Sequence, residues 1–187
     1  MKKLLLGLPI AAALLLGACG NDDTTKEKAS ASIEKEAAEK DVKKSEHTNG
    51  SVYFKNKEAK LDDLTIKITD TKVIPVGKKG NEYGEKPVIA FWYETTNHSD
   101  KEIDPGTAWI AVFEVIQDNN PNSVNKLEIT GLPDDAFLDS QMENIKKNGT
   151  VKNAVAYSLD DNKTPVTLIA SQGVGGQKLG ELEIKIK

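Results

Sequence analysis

The sequence contains no arginine, because all 25 of its basic residues are lysine. Arginine is the residue that most often recognises phosphate and carboxylate with a forked set of donors. The chain also carries a formal net charge of -4. These two features argue against nucleic acid as a partner.

Cysteine is also scarce, since Cys19 is the only one. A single cysteine cannot form a disulfide within the chain, and it cannot supply a zinc site built on several thiolates. The folded part must therefore be stabilised by its core alone. Residues 51–187 are numerous enough for this, because domains of about 150 residues bury roughly two-thirds of their unfolded surface.

A membrane-spanning helix needs about 20 apolar residues, and the apolar run from Leu4 to Ala18 is shorter than that. Gly7, Pro9 and Gly17 weaken it further as a permanent helix. The run follows Lys2 and Lys3, so it has the cationic start and short apolar segment of an export signal.

Leu16-Gly17-Ala18-Cys19 ends this segment with small residues and then the cysteine. The arrangement resembles a bacterial lipoprotein signal peptide. That resemblance implies cleavage between Ala18 and Cys19 and a diacylglyceryl group on the sulfur of Cys19. The protein would then be lipid-anchored in the cell membrane, on its extracellular face. An ordinary secretory signal and an uncleaved amino-terminal anchor are the alternatives.

Three parts of the chain differ in composition. Residues 1–18 form the predicted signal peptide, and residues 19–50 hold the lipidated cysteine and a tether rich in Lys, Glu, Ala and Ser. The tether has no aromatic residue, so it cannot bury enough surface to offset the entropy of ordering, and we expect a flexible, disordered linker. Residues 51–187 form the predicted folded domain.

Alternating apolar and polar residues predict β-strands along the folded domain. Leu64, Ile66 and Ile68 alternate with polar residues, which is typical of a strand with one buried face. The predicted strands are residues 64–69, 86–97, 107–118, 151–159, 165–170 and 179–186, with weaker candidates at 51–56 and 124–130. A helix is expected only within residues 133–147. Loops rich in Gly, Asn, Asp and Pro separate the strands, so the pattern predicts a mainly β, antiparallel two-sheet sandwich.

Three segments resemble elements of a Gram-positive lipoprotein family, the domain-of-unknown-function 5067 family. They are Val88–Asn97 followed by His98–Lys101, then Phe113–Asp118 with its Asn-rich loop, and Lys147–Thr150 before the next strand. The resemblance covers roughly residues 55–171. It implies an immunoglobulin-like β-sandwich, with no known reaction and no catalytic residues.

No catalytic constellation stands out among the polar residues. His98 adjoins Ser99 and Asp100, but a catalytic triad depends on convergence in space, so a turn is the simpler interpretation. Asp118, Asn120 and Asn122 alternate like calcium ligands, yet Pro121 interrupts the loop and its sixth position is Ser123 rather than glycine. We therefore expect no enzyme activity, no metal site and no cofactor.

Aromatic residues on strands are the remaining candidates for function. Phe91, Trp92 and Tyr93 are consecutive, so they must point to opposite faces of their sheet. One face is core, and the other is either covered or exposed as an interaction surface. The predicted binding face comprises Trp92, Trp109, Tyr83, Asp118 and Asn120.

These features favour a non-enzymatic surface lipoprotein that binds a protein or a cell-envelope component. A small-molecule carrier with an apolar pocket between the sheets is the first alternative. A hydrolase that uses two carboxylates is the second, because acidic residues are plentiful. The sequence leaves the oligomeric state open.

Overall fold

The computed structural model describes residues 52–186, which form two antiparallel β-sheets and one α-helix. The predicted signal peptide, Cys19 and the tether lie outside these residues. The strands are β1 (Tyr53–Lys55), β2 (Glu58–Lys60), β3 (Leu64–Ile74), β4 (Val88–Asn97), β5 (Phe113–Gln117), β6 (Thr150–Ser158), β7 (Val166–Ser171) and β8 (Lys178–Ile184). Helix α1 (Pro105–Val112) connects β4 to β5.

The sheets have the strand orders β1-β2-β3-β4-β6 and β5-β7-β8. The prediction of a mainly β, antiparallel sandwich is therefore confirmed. Strands β3-β4-β6 and β5-β7-β8 follow the A-B-E and C-F-G orders of an immunoglobulin-like sandwich. The hairpin β1-β2 extends the larger sheet beside β3.

The prediction of one strand over residues 107–118 is wrong in its first half. Residues 105–112 are helical, and only residues 113–117 form strand β5. Asp104 is the N-cap of α1, with its carboxylate accepting from the backbone N–H of Thr107 at 2.8 Å, and Pro105 begins the helix. An aspartate followed by proline is a common helix start, because proline has no N–H to leave unpaired there.

The expected helix within residues 133–147 is also wrong, because only Asp135–Phe137 form a short 3-10 helix. We call residues 131–145 the strap, since they run over the outer face of the five-stranded sheet, the face turned away from β5, β7 and β8. The Ser140 hydroxyl donates to the Lys152 carbonyl at 3.1 Å, and the Ile145 N–H donates to the Ile103 carbonyl at 2.8 Å. These tertiary bonds hold the strap to its neighbours, whereas a helix would satisfy its backbone internally.

An aromatic cluster fills the core between the two sheets. The ring of Trp109 lies 4.4 Å from that of Tyr93 and 4.5 Å from that of Phe113, measured between centroids. The Trp109 side chain is 1% exposed, and its indole N–H donates to the Tyr157 hydroxyl at 2.8 Å. Burial raises the pKa of Tyr157 to about 12, so this hydroxyl stays neutral at physiological pH.

The sandwich is closed along both of its sides. Residues 125–130 close one side, and contact between β8 and β1 closes the other. On one side, the Leu127 N–H donates to the Val115 carbonyl and the Thr130 N–H donates to the Ala156 carbonyl, both at 2.9 Å. Residues 125–130 therefore contact β5 and β6 in turn. On the other side, a Cβ added to Gly180 of β8 would lie 3.0 Å from the carbonyl oxygen of Phe54 in β1, so this approach favours glycine.

Tyr157→Phe should lower the free energy of unfolding by about 1–3 kcal/mol, because the buried N–H of Trp109 would lose its acceptor. Urea denaturation at pH 7 measures the change. Tyr83→Phe removes the same hydroxyl from a side chain that is 99% exposed, so it should change stability by less than about 0.5 kcal/mol. Equal stability of the two variants would contradict the role given to this hydrogen bond.

Candidate functional site

The outer face of the five-stranded sheet carries a row of alternating charges. Antiparallel pairing places Glu58 opposite Lys67, Lys67 opposite Glu94, and Glu94 opposite Lys152. Side chains that are directly opposite in such a ladder share one face of the sheet. The Lys152 ammonium lies 3.6 Å from the Glu94 carboxylate. This half of the face is polar and open to solvent.

Trp92 lies beside this charged row, where the strap begins to cover the sheet. As the alternation predicts, Phe91 and Tyr93 are buried in the core, while Trp92 points outward and is half-buried. Its indole N–H donates to the Asp134 carboxylate of the strap at 3.2 Å. The same carboxylate caps the 3-10 helix by accepting from the Ala136 N–H at 3.2 Å. Asp134 therefore connects the strap to the one tryptophan that faces outward.

A β-bulge in β3 places a carboxylate next to Trp92. The pairing of β3 with β4 shifts between Ile68 and Asp70, which leaves Thr69 as the extra residue. Beyond the bulge, Asp70 is opposite Trp92. Bulges redirect side chains and occur often beside binding sites. In a regular strand, two residues separated by one other would face the same side. The bulge lets Ile68 face the core while Asp70 faces outward.

These side chains surround an open cavity of about 320 Å³, which we call the Trp92 cleft. Its lining residues are Thr69, Asp70, Trp92, Tyr93, Glu94, Phe137, Lys152 and Asn153. Two aromatic rings, from Trp92 and Phe137, border it together with two carboxylates and one ammonium group. A cavity with aromatic walls and a few convergent polar groups is the usual form of a ligand site. The arrangement suits reversible binding of a ligand.

The structure does not bring the other predicted binding residues to this cleft. Trp109 fills the core and offers no surface to a partner, so its place in the predicted binding face is wrong. Tyr83 is 99% exposed in the loop between β3 and β4. Asp118 and Asn120 are exposed in the loop after β5. These loops lie at one end of the sandwich, where the Lys86 ammonium is 3.4 Å from the Asp160 carboxylate.

Buried Gln117 organises this end of the sandwich. Its amide group donates to the Thr164 carbonyl at 2.9 Å, and its oxygen accepts from the Asp160 N–H at 2.7 Å. Asn119 donates to the carboxylates of Asp160 and Asp161 at 2.7 and 3.0 Å. These bonds fix the loop after β5 to the loop between β6 and β7. The polar side chains of Gln117 and Asn119 at this end of the sandwich therefore bind the two loops to each other.

The turn interpretation of the histidine segment is confirmed by its hydrogen bonds. The Asn97 carboxamide oxygen accepts from the Ser99 N–H at 2.8 Å, which closes the bend. His98 Nε2 lies 2.8 Å from the Thr65 hydroxyl, on the exposed surface. Within residues 52–186, no three His, Cys, Asp or Glu side chains are grouped to hold a metal ion. Over that same range, no helix is long and apolar enough to cross a membrane.

Sequence reasoning found Trp92 but missed most of the cleft around it. Glu94 could have been found, because it is two residues from Trp92 on the same strand and so shares its face. The position of Asp70 beside Trp92 depends on a bulge, and the position of Lys152 depends on the register of β6 against β4. Phe137 comes from the strap. None of these last three had a signal in the local sequence pattern.

A family model and solved structures of bacterial proteins are similar to this chain. A family model described as "Domain of unknown function (DUF5067)" matches residues 22–172. The solved structure of a candidate lipoprotein from Staphylococcus aureus subsp. aureus NCTC 8325 is similar, with a TM-score of 0.61 and 22% identity over 74% of this chain and 94% of that chain. An uncharacterized beta-sandwich protein from Clostridium difficile 630 has a TM-score of 0.43 and 15% identity, over 68% and 89% of the two chains. Among curated proteins, none matches the chain. The staphylococcal structure shows that the fold is shared.

The hydrogen bonds at the polar end lead to a prediction about acid stability. Backbone N–H groups of Thr164 and Lys163, with the side chains of Asn119 and Thr164, hold the pKa of Asp161 well below its usual range. A carboxylate whose pKa is depressed by folding stabilises the folded state above its unfolded pKa of about 3.9. That contribution is lost as the pH falls below this value toward the folded pKa.

Asp161→Asn should therefore weaken the dependence of stability on pH below about pH 4, because the titrating group is removed. Urea denaturation between pH 6 and pH 2.5 gives the free energy of unfolding of the parent and the variant. The two curves should converge as the pH falls. Parallel curves over the whole range would show that Asp161 contributes nothing to acid unfolding.

Proposed function

This chain belongs to the DUF5067 family of domains of unknown function, and we propose that it is a lipid-anchored surface protein whose sandwich domain binds a protein or a cell-envelope component without catalysis. The observation that carries the binding role is the half-buried Trp92 in an open cleft on the outer face of the sheet. Tryptophan is among the residues that most often dominate binding energy at protein surfaces.

Anchoring through Cys19 is supported by the amino-terminal sequence. The order of Lys2 and Lys3, the apolar segment and the small residues before Cys19 is that of a lipoprotein signal. The family match begins at residue 22, three residues after Cys19, so it leaves out the whole of the proposed signal peptide. The structurally similar staphylococcal protein is itself described as a candidate lipoprotein. Each buried methylene of a lipid contributes about 0.8 kcal/mol, so two acyl chains are enough for stable attachment.

The tether would give the domain freedom to search near the membrane. Residues 20–50 are dominated by charged and small residues, and a flexible segment of that length reaches on the order of 30 Å. We place the proposed boundaries at residues 1–18 for the signal peptide, 19–50 for the anchor and tether, and 51–187 for the binding domain. The domain would face the exterior of the cell.

The packing of the core favours surface binding over a carrier that encloses its ligand. The space around Trp109 is occupied by the rings of Phe91, Tyr93 and Phe113. The cleft at Trp92 lies on the opposite face of the same sheet and is open to solvent. A partner can therefore reach Trp92 without any separation of the two sheets.

Cys19→Ala should release the protein from the membrane, because without the thiol no diacylglyceryl group can be attached. Fractionation of cells that express the tagged full-length chain measures the distribution between membrane and soluble fractions. Asn21→Ala, two residues downstream, is the control and should remain in the membrane fraction. Retention of the Cys19 variant in the membrane at the parental level would refute lipid anchoring.

Trp92→Ala should abolish cross-linking of the anchored protein to its neighbour in living cells, while Tyr83→Ala should leave it unchanged. The comparison separates the cleft from the loops at the end of the sandwich, since both variants remove one aromatic side chain. Urea denaturation of the purified domain verifies that each variant is folded. Loss of cross-linking with Tyr83→Ala alone would move the binding surface to the loops, and loss with neither would refute binding at both places.

A further inference from the structure

We propose that the Trp92 cleft recognises a primary ammonium group on an alkyl or sugar scaffold, such as a lysine side chain or an amino sugar. This inference rests on the proposed binding function and adds the chemical class of the ligand. It is carried by the combination of aromatic walls with a carboxylate that has no cationic partner.

The charges around the cleft do not balance. Asp70, Glu94 and Lys152 line it, and Lys152 is paired with Glu94 at 3.6 Å. Within residues 52–186, the Asp70 carboxylate has no lysine ammonium within 4 Å. Within those residues, the Asp134 carboxylate, which accepts a hydrogen bond from the Trp92 indole, also has no lysine ammonium within 4 Å. Two carboxylates beside the cleft are thus left without a counter-charge from the described part of the chain.

The aromatic side chains that line the cleft also favour a positively charged ligand. The face of an indole or phenyl ring attracts a cation, with an interaction worth about 0.5–2 kcal/mol that increases when water is excluded. Trp92 is half-buried, so one part of its ring is shielded from water and another part borders the cleft. An anionic ligand would be repelled by the carboxylates and would gain no such attraction from the rings.

Carboxylates distinguish a primary ammonium from a quaternary one. A primary ammonium has three N–H donors, and a carboxylate accepts such bonds strongly because both partners are charged. A quaternary ammonium has no donor and would leave Asp70 without a hydrogen bond. Asp70 is held in place by the bulge and by the Thr71 N–H, which donates to its Oδ1 at 2.8 Å. Its second oxygen, Oδ2, can accept from a ligand.

The lysines around the cleft decide which of its carboxylates is free to bind a ligand. Lys67 lies opposite Glu94, and Lys72 lies two residues beyond Asp70 on the same strand. A ligand ammonium must compete with Lys152 for Glu94 but not for Asp70. Asp70 is therefore the carboxylate expected to contribute most to affinity, and salt should weaken binding because the site is open to solvent.

Titrations followed by NMR can test this directly, since the chain has two tryptophans and hence two indole N–H signals. The probe is Nα-acetyl-lysine N-methylamide, and its Nε-acetylated form is the uncharged control. The Trp92 signal should move with the lysine probe, and the Trp109 signal should stay because Trp109 is buried. Trp92→Phe assigns the signals by removing one of them. Glucosamine and N-acetylglucosamine form a second charged and uncharged pair.

Asp70→Asn should weaken binding of the lysine probe by about two- to fivefold, the range expected for an exposed ion pair. Glu102→Gln removes the same charge from an exposed position outside the cleft and should leave the affinity unchanged.

Movement of the Trp92 signal with glucosamine rather than the lysine probe would support the ammonium class and indicate a polysaccharide source. Equal movement with charged and uncharged members of a pair, or none with any probe, would overturn the proposal. If cross-linking in cells still depends on Trp92 in that case, binding at the cleft stands and only the ligand class fails.

Discussion

The packing of Trp109 is the interaction on which the rest of the structure depends. Its ring occupies the space between the sheets, and its N–H donates to Tyr157 of β6 while the ring contacts Phe113 of β5. One side chain on α1 thus joins the edges of two sheets. Immunoglobulin domains often use a disulfide between sheets with a tryptophan packed against it. The described residues contain no cysteine, so the aromatic cluster provides this connection here.

The core and the candidate site are opposite faces of a single strand. Phe91 and Tyr93 of β4 point toward Trp109, and strand geometry then requires Trp92 to point away from it. Trp92, the proposed binding residue, is therefore held on a central strand that pairs with β3 on one side and β6 on the other. The strap gives it a second support through Asp134. A shift of the β4 register by one residue would remove both the core and the cleft.

The strands with alternating patterns could be predicted from sequence because burial on one face dictates a period of two. The segment from Thr107 to Val112 could not be recognised as helical from its apolar residues, since Trp109, Ile110 and Val112 suit strands equally well. Asp104 and Pro105 were the local signal for the helix start, but they also suit a turn. Most of the cleft depended on register, on the bulge at Thr69 and on the strap, all of which arise from contacts between distant segments.

An open cleft of this kind is expected to bind its ligand weakly in solution, because an exposed ion pair and one aromatic contact each contribute only modest free energy. The proposed lipid anchor would offset the effect of this weak binding. The proposed tether would confine the domain near the membrane, and a short flexible linker of this kind raises the effective concentration of a neighbouring ligand to about the millimolar range. Contacts too weak to hold a free protein would then be sufficient. The proposed lipid anchor, the proposed tether and the shallow Trp92 cleft are thus mutually consistent, since confinement near a ligand would matter most for a site whose own contacts are weak.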